Sequence, residues 1–378
     1  MTRSMLLEIL ERSFAQAILE TPPKIDRGLA LDIAHFPFLA VVGQQEMKTA
    51  LLLAVINPRV GGVLLIGPRG TGKTTAVRGL VDLMPAVRRS TCPYGCTEEA
   101  AEARGMDAIC IDCAEKMGRG KPLTALDRMR LVELPLNARL DDVVGGINER
   151  IAIEQNRVKL EKGILAYADG NLLYVDEINL LDDAVVNAIL DAAAQGRYTV
   201  RRGPLSATYN ARFVLVGSMN PEEGMLRPQI MDRLGLRVVV SGLTTDSQRL
   251  EVYRRMRAFA DNPHAFIAAC EEETFTFSQE IAEAKARLPD VTLTREAERL
   301  ALRLVKELDI ASNRAEYVTL EAARAYASAD SRVKASVADV RAVAPLALRQ
   351  RRSEFMTHYF EQDREEEQRI QAVIENSK

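Results

Sequence analysis

Four short apolar runs mark the first two thirds of the chain: Val63 to Ile66, Leu172 to Val175, Phe213 to Val216 and Val238 to Val240. None alternates with polar residues. Unbroken apolarity over so few positions is the pattern of strands covered on both faces, as in a parallel sheet flanked by helices. After Ser241-Gly242 the period changes. From Ala297 the apolar positions Leu300, Ala301, Leu304, Val305 and Leu308 recur at helical spacing, and Leu320 to Ala329 does likewise. The pattern predicts an α/β domain over 1–241 and an all-helical domain over 242–352. A charged tail over 353–378, with Gln362 to Glu367 at its centre, reads as a solvated helix or a disordered segment. Two stretches exceed what a minimal sheet needs, Gly145 to Gly170 and Gly196 to Asn210, the second with alternating Tyr198 and Val200.

The segment directly after the first run carries the chemistry. Gly67-Pro68-Arg69-Gly70-Thr71-Gly72-Lys73-Thr74 is a complete G-x-x-x-x-G-K-[ST] phosphate loop, and a helical pattern runs from Ala76 to Leu83 behind Thr75. Its glycines let several backbone N–H groups converge on one anion, and the helix N-terminus adds partial positive charge. Lys73 would then bridge the β- and γ-phosphates of ATP, and Thr74 would ligate Mg²⁺. The second run ends in Asp176 and Glu177. Carboxylates at the C-terminal tip of a parallel strand sit where open α/β sheets place their ligand. Asp176 can hold Mg²⁺ through water, and Glu177 can polarise a water for attack on the γ-phosphate, which favours hydrolysis over transfer to an acceptor.

The third run leads into Gly217-Ser218-Met219-Asn220-Pro221. Asn220 either starts a turn or helps position the attacking water. Arg227 and Arg233 fall in a helix-like stretch before the fourth run. Each is a surface ion-pair residue or an arginine finger for a neighbouring subunit.

Phe36-Pro37-Phe38 with Val42-Gly43-Gln44, the Gly67 to Thr74 loop, Tyr174 to Asp183, Gly217 to Gly224 and Leu226 to Arg233 together resemble the ATPase (I) subunit of magnesium chelatase, a branch of the AAA+ superfamily. The similarity runs from about Phe36 to Arg351. Asn220-Pro221-Glu222-Glu223-Gly224 and Arg227-Pro228-Gln229 with Asp232-Arg233 are its most specific parts. The resemblance implies an AAA+ P-loop domain followed by a helical lid. It assigns Lys73 and Thr74 to Walker A, Asp176 and Glu177 to Walker B, Asn220 to sensor 1 and Arg233 to the arginine finger. Arg314 falls where the family carries its sensor 2 arginine, without the glycine-rich approach usual there. The two long stretches of the first domain would be hairpin or helix insertions facing a ring pore or a partner subunit, the alternative being long surface loops. Also implied are a hexameric ring, an AAA+/von Willebrand A-domain D subunit and a large porphyrin-binding H subunit as partners. In that family ATP hydrolysis drives Mg²⁺ into protoporphyrin IX, the first committed step toward chlorophyll or bacteriochlorophyll. The alternative is a MoxR-like AAA+ chaperone that works with a von Willebrand A-domain partner in metal loading or complex maturation. A non-hydrolysing scaffold would lack the catalytic carboxylate, and Glu177 is present.

Four of the five cysteines depart from that family pattern: Cys92-x3-Cys96 and Cys110-x2-Cys113. Two close pairs can wrap four thiolates around one structural Zn²⁺, in an insertion over about 90–120. An iron–sulfur cluster, a redox switch or unliganded thiols are the alternatives. Cys270 stands alone as a small core residue, and His35, His264 and His358 are scattered. A net charge of -3 and a pI near 5.9 argue against a dedicated nucleic-acid binder. No apolar run is long enough to span a bilayer, so the expected location is cytoplasmic.

Overall fold

The structure is a computed structural model that describes residues 34–352, apart from 85–86, 93–95, 99–100, 103–104, 106–108, 110, 128, 147–159, 161 and 204. The tail over 353–378, Cys110 and much of the 145–170 stretch therefore lie outside the described residues.

The first α-helix among the described residues, α1 (Gln45–Ile56), is apolar on nearly every side and buried between two layers. Next come β1 (Val63–Ile66), with all its residues buried, and α2 (Lys73–Leu80), which starts directly from the phosphate loop. An excursion comes after it, containing β2 (Val87–Ser90), α3 (Ile111–Gly118) and β3 (Thr124–Asp127), with β2 and β3 paired antiparallel. The chain re-enters the sheet as β4 (Leu131–Leu134), then passes through α4 (Leu140–Val144) and α5 (Ile164–Tyr167) to β5 (Leu172–Val175) and α6 (Asp183–Gln195). The 196–210 stretch, left open by the sequence as an insertion of hairpin, helix or loop, is an antiparallel hairpin of β6 (Arg197–Arg202) and β7 (Leu205–Asn210). The last sheet elements are β8 (Val214–Met219), α7 (Pro228–Arg233) and β9 (Leu236–Val239).

The five-stranded sheet has the order β4-β5-β8-β1-β9, with every pair parallel. Two strands differ from the hydrophobic pattern. β8 continues through Gly217 and Ser218 to Met219, because pairing with β1 extends to the end of that strand. β9 begins at Leu236 and includes Arg237, a charge inside a sheet that apolarity alone cannot predict.

Helices dominate the remainder of the chain: α8 (Asp246–Asp261), α9 (Pro263–Ala269), α10 (Glu271–Arg287), α11 (Arg295–Glu307), α12 (Arg314–Ala329) and α13 (Val337–Leu348), with two-residue strands β10 (Thr292–Leu293) and β11 (Lys334–Ala335) between them. Side chains cap their starts: Thr245, Asn262 and Thr294 each accept a first-turn N–H, and Ser336 forms a capping box with Asp339. Cys270, between α9 and α10, is buried as expected, and burial pushes its thiol pKa up to about 11.

One hydrophobic core runs from β1 and β8 through α1 into α10, α12 and α13. Polar ties reinforce it. Asn57 Nδ2 donates to Glu321 Oε2 at 2.7 Å and to the Glu321 carbonyl at 3.1 Å. Arg351 donates to the carbonyls of Leu234 and Gly235 and to Asp232 Oδ1 at 2.6 Å. Arg237 donates to the carbonyls of Met231, Arg349 and Gln350. Burial first, and then Arg351, lowers the Arg237 pKa to about 10.

Asn57→Ala should cost about 1–3 kcal/mol, because it leaves a buried carboxylate oxygen short of a donor. Since the core is continuous, the far-ultraviolet signal and an aromatic probe should still unfold in a single coincident denaturant transition.

Candidate active site

Register places the site. In the parallel pairing of β1 with β8, Ile66 lies opposite Met219, and in that of β5 with β8, Val175 lies opposite Gly217. The C-terminal tips of β1, β5 and β8 therefore deliver Gly67, Asp176-Glu177 and Asn220 to one edge of the sheet. Gly67 is required by contact. A Cβ there would stand 2.0 Å from the Val240 carbonyl oxygen. Gly70 and Gly72 are required by conformation, with φ of 78° and 85°, and a Cβ on either would meet nothing within 4 Å. That open space over a turn of backbone amides can receive an oligophosphate.

Lys73 is 9% exposed, and its Nζ donates to the carbonyls of Gly67 at 2.6 Å and Pro68 at 2.7 Å. Burial lowers its pKa, while Asp176, Glu177 and Glu223 oppose that shift. Thr74 Oγ1 lies 3.0 Å from the Tyr174 hydroxyl and 3.4 Å from Asp176 Oδ2. Asp176 Oδ1 also accepts from the Tyr174 hydroxyl at 2.9 Å and from Ser218 Oγ. A threonine hydroxyl and an oriented carboxylate, facing an ammonium across a phosphate-sized space, match the donor set of a magnesium–nucleotide.

Glu177 has a left-handed backbone, φ 49°, and its N–H donates to Ser218 Oγ at 3.1 Å. This unusual conformation swings its side chain toward the loop, where Arg69 Nη2 lies 2.8 Å from Glu177 and 2.7 Å from Glu223. The hydrogen bond from Arg69 to Glu177, followed by the charge of that carboxylate, raises the arginine's pKa. Asn220 is buried at the tip of β8, and its Oδ1 accepts from the Glu222 N–H at 3.3 Å, capping a single helical turn. Beside the loop a cavity of about 480 Å³ is walled by Phe36, Val41, Val42, Leu243, Val252 and Met256, an apolar slot suited to a nucleobase.

Arg233 and Arg314 lie elsewhere. They line a cleft of about 1200 Å³ with Gly61, Asn171 and Val214, which mark the opposite ends of β1, β5 and β8. Arg233 pairs there with Asp191 at 3.0 Å and bonds Asn187 at 3.3 Å, and Arg314 Nη1 reaches the Asp232 carbonyl at 3.5 Å. Neither arginine lines the cavity beside its own phosphate loop. Arg227 makes the exposed ion pair expected of a surface arginine, 2.6 Å from Asp183.

The sequence matches the AAA lid domain over residues 299–373 and the MCM P-loop domain over residues 149–233. A magnesium-chelatase subunit ChlI homolog from Methanocaldococcus jannaschii is 41% identical over 85% of this chain and 87% of its own length. The magnesium-chelatase 38 kDa subunit of Acidiphilium rubrum is 42% identical over 84% of this chain and 91% of its own length. The chain belongs to the magnesium-chelatase I-subunit family. Within that family it has the AAA+ P-loop ATPase architecture, a parallel sheet flanked by helices and followed by a helical lid. A solved structure from Cytophaga hutchinsonii, 19% identical with a TM-score of 0.54, shares this fold over 82% of the chain and 83% of its own.

Sequence reasoning missed two groups of this magnesium-chelatase-type site. The sequence assigns no role to Tyr174 or Ser218, yet their hydroxyls hold Asp176, and Ser218 also holds the Glu177 backbone. The Tyr174 hydroxyl is kept protonated because burial raises its pKa, so it remains a donor. The signal available was a hydroxyl residue inside each of two buried strands.

Ser218→Ala removes a donor to Asp176 and an acceptor for the Glu177 N–H. It should weaken magnesium–nucleotide binding by about 1–3 kcal/mol and raise the Mg²⁺ concentration needed for half-maximal ATPase rate. Titration calorimetry with a non-hydrolysable nucleotide, run at several Mg²⁺ concentrations, checks this.

Proposed function

We propose that this chain is the ATP-hydrolysing motor subunit of a magnesium-chelatase-type complex, in which hydrolysis drives insertion of Mg²⁺ into protoporphyrin on the route to chlorophyll or bacteriochlorophyll. The observation that carries the reading is identity of 41–42% over 84–85% of the chain to proteins named as magnesium-chelatase subunits or homologs. The intact loop and the Asp176-Glu177 pair support it. We take residues up to 241 as the nucleotide-binding domain and 242–352 as the lid.

The residues present suggest how each would act. Lys73 exchanges the carbonyls of Gly67 and Pro68 for phosphate oxygens, with Thr71 and Thr75 beside it. Thr74 and Asp176 hold Mg²⁺, the aspartate fixed by Tyr174 and Ser218. Glu177 orients the attacking water and takes its proton once Arg69 releases it. Asn220 sits at the adjacent strand tip, within the family's sensor position. Arg233 and Arg314 lie at the far end of the sheet from their own loop, which favours action on the nucleotide of a neighbouring subunit, and hence a ring. A D subunit and a large porphyrin-binding H subunit complete the proposed complex. Reconstitution with those two subunits should yield Mg-protoporphyrin fluorescence that depends on ATP, and ATPase activity without metal insertion would overturn the substrate assignment.

Lys73→Ala should abolish tight ATP binding. Glu177→Gln should retain binding and lose hydrolysis. Wild-type turnover by Glu177→Gln would remove this residue from the water-activating role.

Arg233→Ala should leave nucleotide binding intact and slow hydrolysis by about a thousandfold. Mixed into wild-type protein, Arg233→Ala and Arg314→Ala should each lower activity more steeply than the wild-type fraction falls. A strictly proportional decline would assign both arginines an intramolecular role.

A further inference from the structure

Among the described residues, the β2–β3 excursion has a small apolar cluster of its own, Cys96, Ala101, Ile109, Cys113 and Leu123, separate from the two large cores of the protein. Lobes of about 40 residues or fewer usually need a disulfide or a metal. Three sulfurs converge in this cluster. The Sγ atoms of Cys92, Cys96 and Cys113 lie within 4.8 Å of one another, and the latter two residues are buried.

We propose that these three cysteines hold a structural Zn²⁺ that fastens the excursion. Tetrahedral zinc–thiolate geometry, with Zn–S near 2.3 Å, spaces its sulfurs by roughly 3.8 Å, so no pair of the trio needs to close by more than about 1 Å. On binding, each thiol releases its proton to solvent and enters as thiolate. Donors to sulfur are already in place. The Cys96 N–H and Ser90 Oγ each point at Cys92 Sγ from 3.4 Å, the kind of outer contact that orients a metal-bound thiolate. Lys162 interacts electrostatically with Cys92 and Cys96, which offsets the negative charge of a zinc–thiolate centre, and its ammonium lies 5.8 Å from the Tyr209 ring centroid. Glu98 ties the same lobe to β3, accepting from the Leu123 and Thr124 N–H groups at 2.7 and 3.0 Å. Cys110, a fourth thiol in the sequence, lies outside the described residues.

None of the residues lining the nucleotide slot belongs to this lobe, so the metal serves folding and not hydrolysis. Elemental analysis of the purified full chain should find about one zinc per chain, with no visible absorption band of an iron–sulfur cluster. A zinc chelator added to the wild-type protein should raise the rate of proteolytic cleavage within 87–127 by roughly tenfold, while ATPase activity persists. Cys113→Ser should lose the zinc, and Cys270→Ala should keep it. Wild-type protein that is metal-free, or whose cleavage ignores the chelator, would overturn the proposal, as would an iron–sulfur spectrum.

Discussion

Parallel register among β5, β8 and β1 is the constraint on which the rest depends. Strand tips in a parallel sheet all point one way, so residues far apart in sequence reach the same edge only if the pairing is fixed. The pairs Ile66 with Met219 and Val175 with Gly217 fix it. A slip of one residue between β5 and β8 would turn Ser218 to the opposite face and take its hydroxyl from Asp176 and from the Glu177 N–H. The full burial of β1, β5 and β8 on both faces makes such a slip costly. Packing, rather than the loop itself, therefore sets the distance between Thr74 and Asp176.

Buried cations connect this sheet to the helical part. Asp232 accepts from Ser312 Oγ at 2.7 Å and from Arg351 at 2.6 Å, and its carbonyl accepts from Arg314. Its sequence neighbour is Arg233. A shift of the lid must therefore act on the backbone that carries Arg233, or break charge-assisted bonds in a poorly solvated place. Arg237 reinforces the joint from β9, bonding the carbonyls of Arg349 and Gln350 just beyond α13. The segment that presents Arg233 at this end of the sheet is thereby joined to the helical part that carries Arg314.

At the other end the charges balance locally. Arg69 spans Glu177 and Glu223, and Lys73 is held by loop carbonyls. A nucleotide must take over these partners, so its binding redistributes charge around Glu177 as well as filling the loop. The exposed Arg69 contributes little as a surface ion pair, which makes it easy to displace.

Local sequence was sufficient for some of this protein. The phosphate loop, the strand ending in Asp176-Glu177 and the switch to helical periodicity depend on residues close together in the chain, and each is visible as a run or a spacing. Asn220 was legible only as either a turn starter or a sensor, and the structure shows it capping a turn at the right strand tip. What the sequence could not show are pairings across distance. In the sequence Arg349, Arg351 and Arg352 form only a short basic cluster. Yet Arg351 is buried and bonded to Asp232, 119 residues away, because α13 ends against β9. Arg237, just ahead of the fourth apolar run, is buried in β9 for the same reason. The placement of Arg314 beside Arg233, and away from its own loop, is set by how α12 packs on α1 and the 58–60 turn, and no periodicity encodes that. Apolar spacing determines which residues turn inward; only the assembled core decides which distant polar groups meet there.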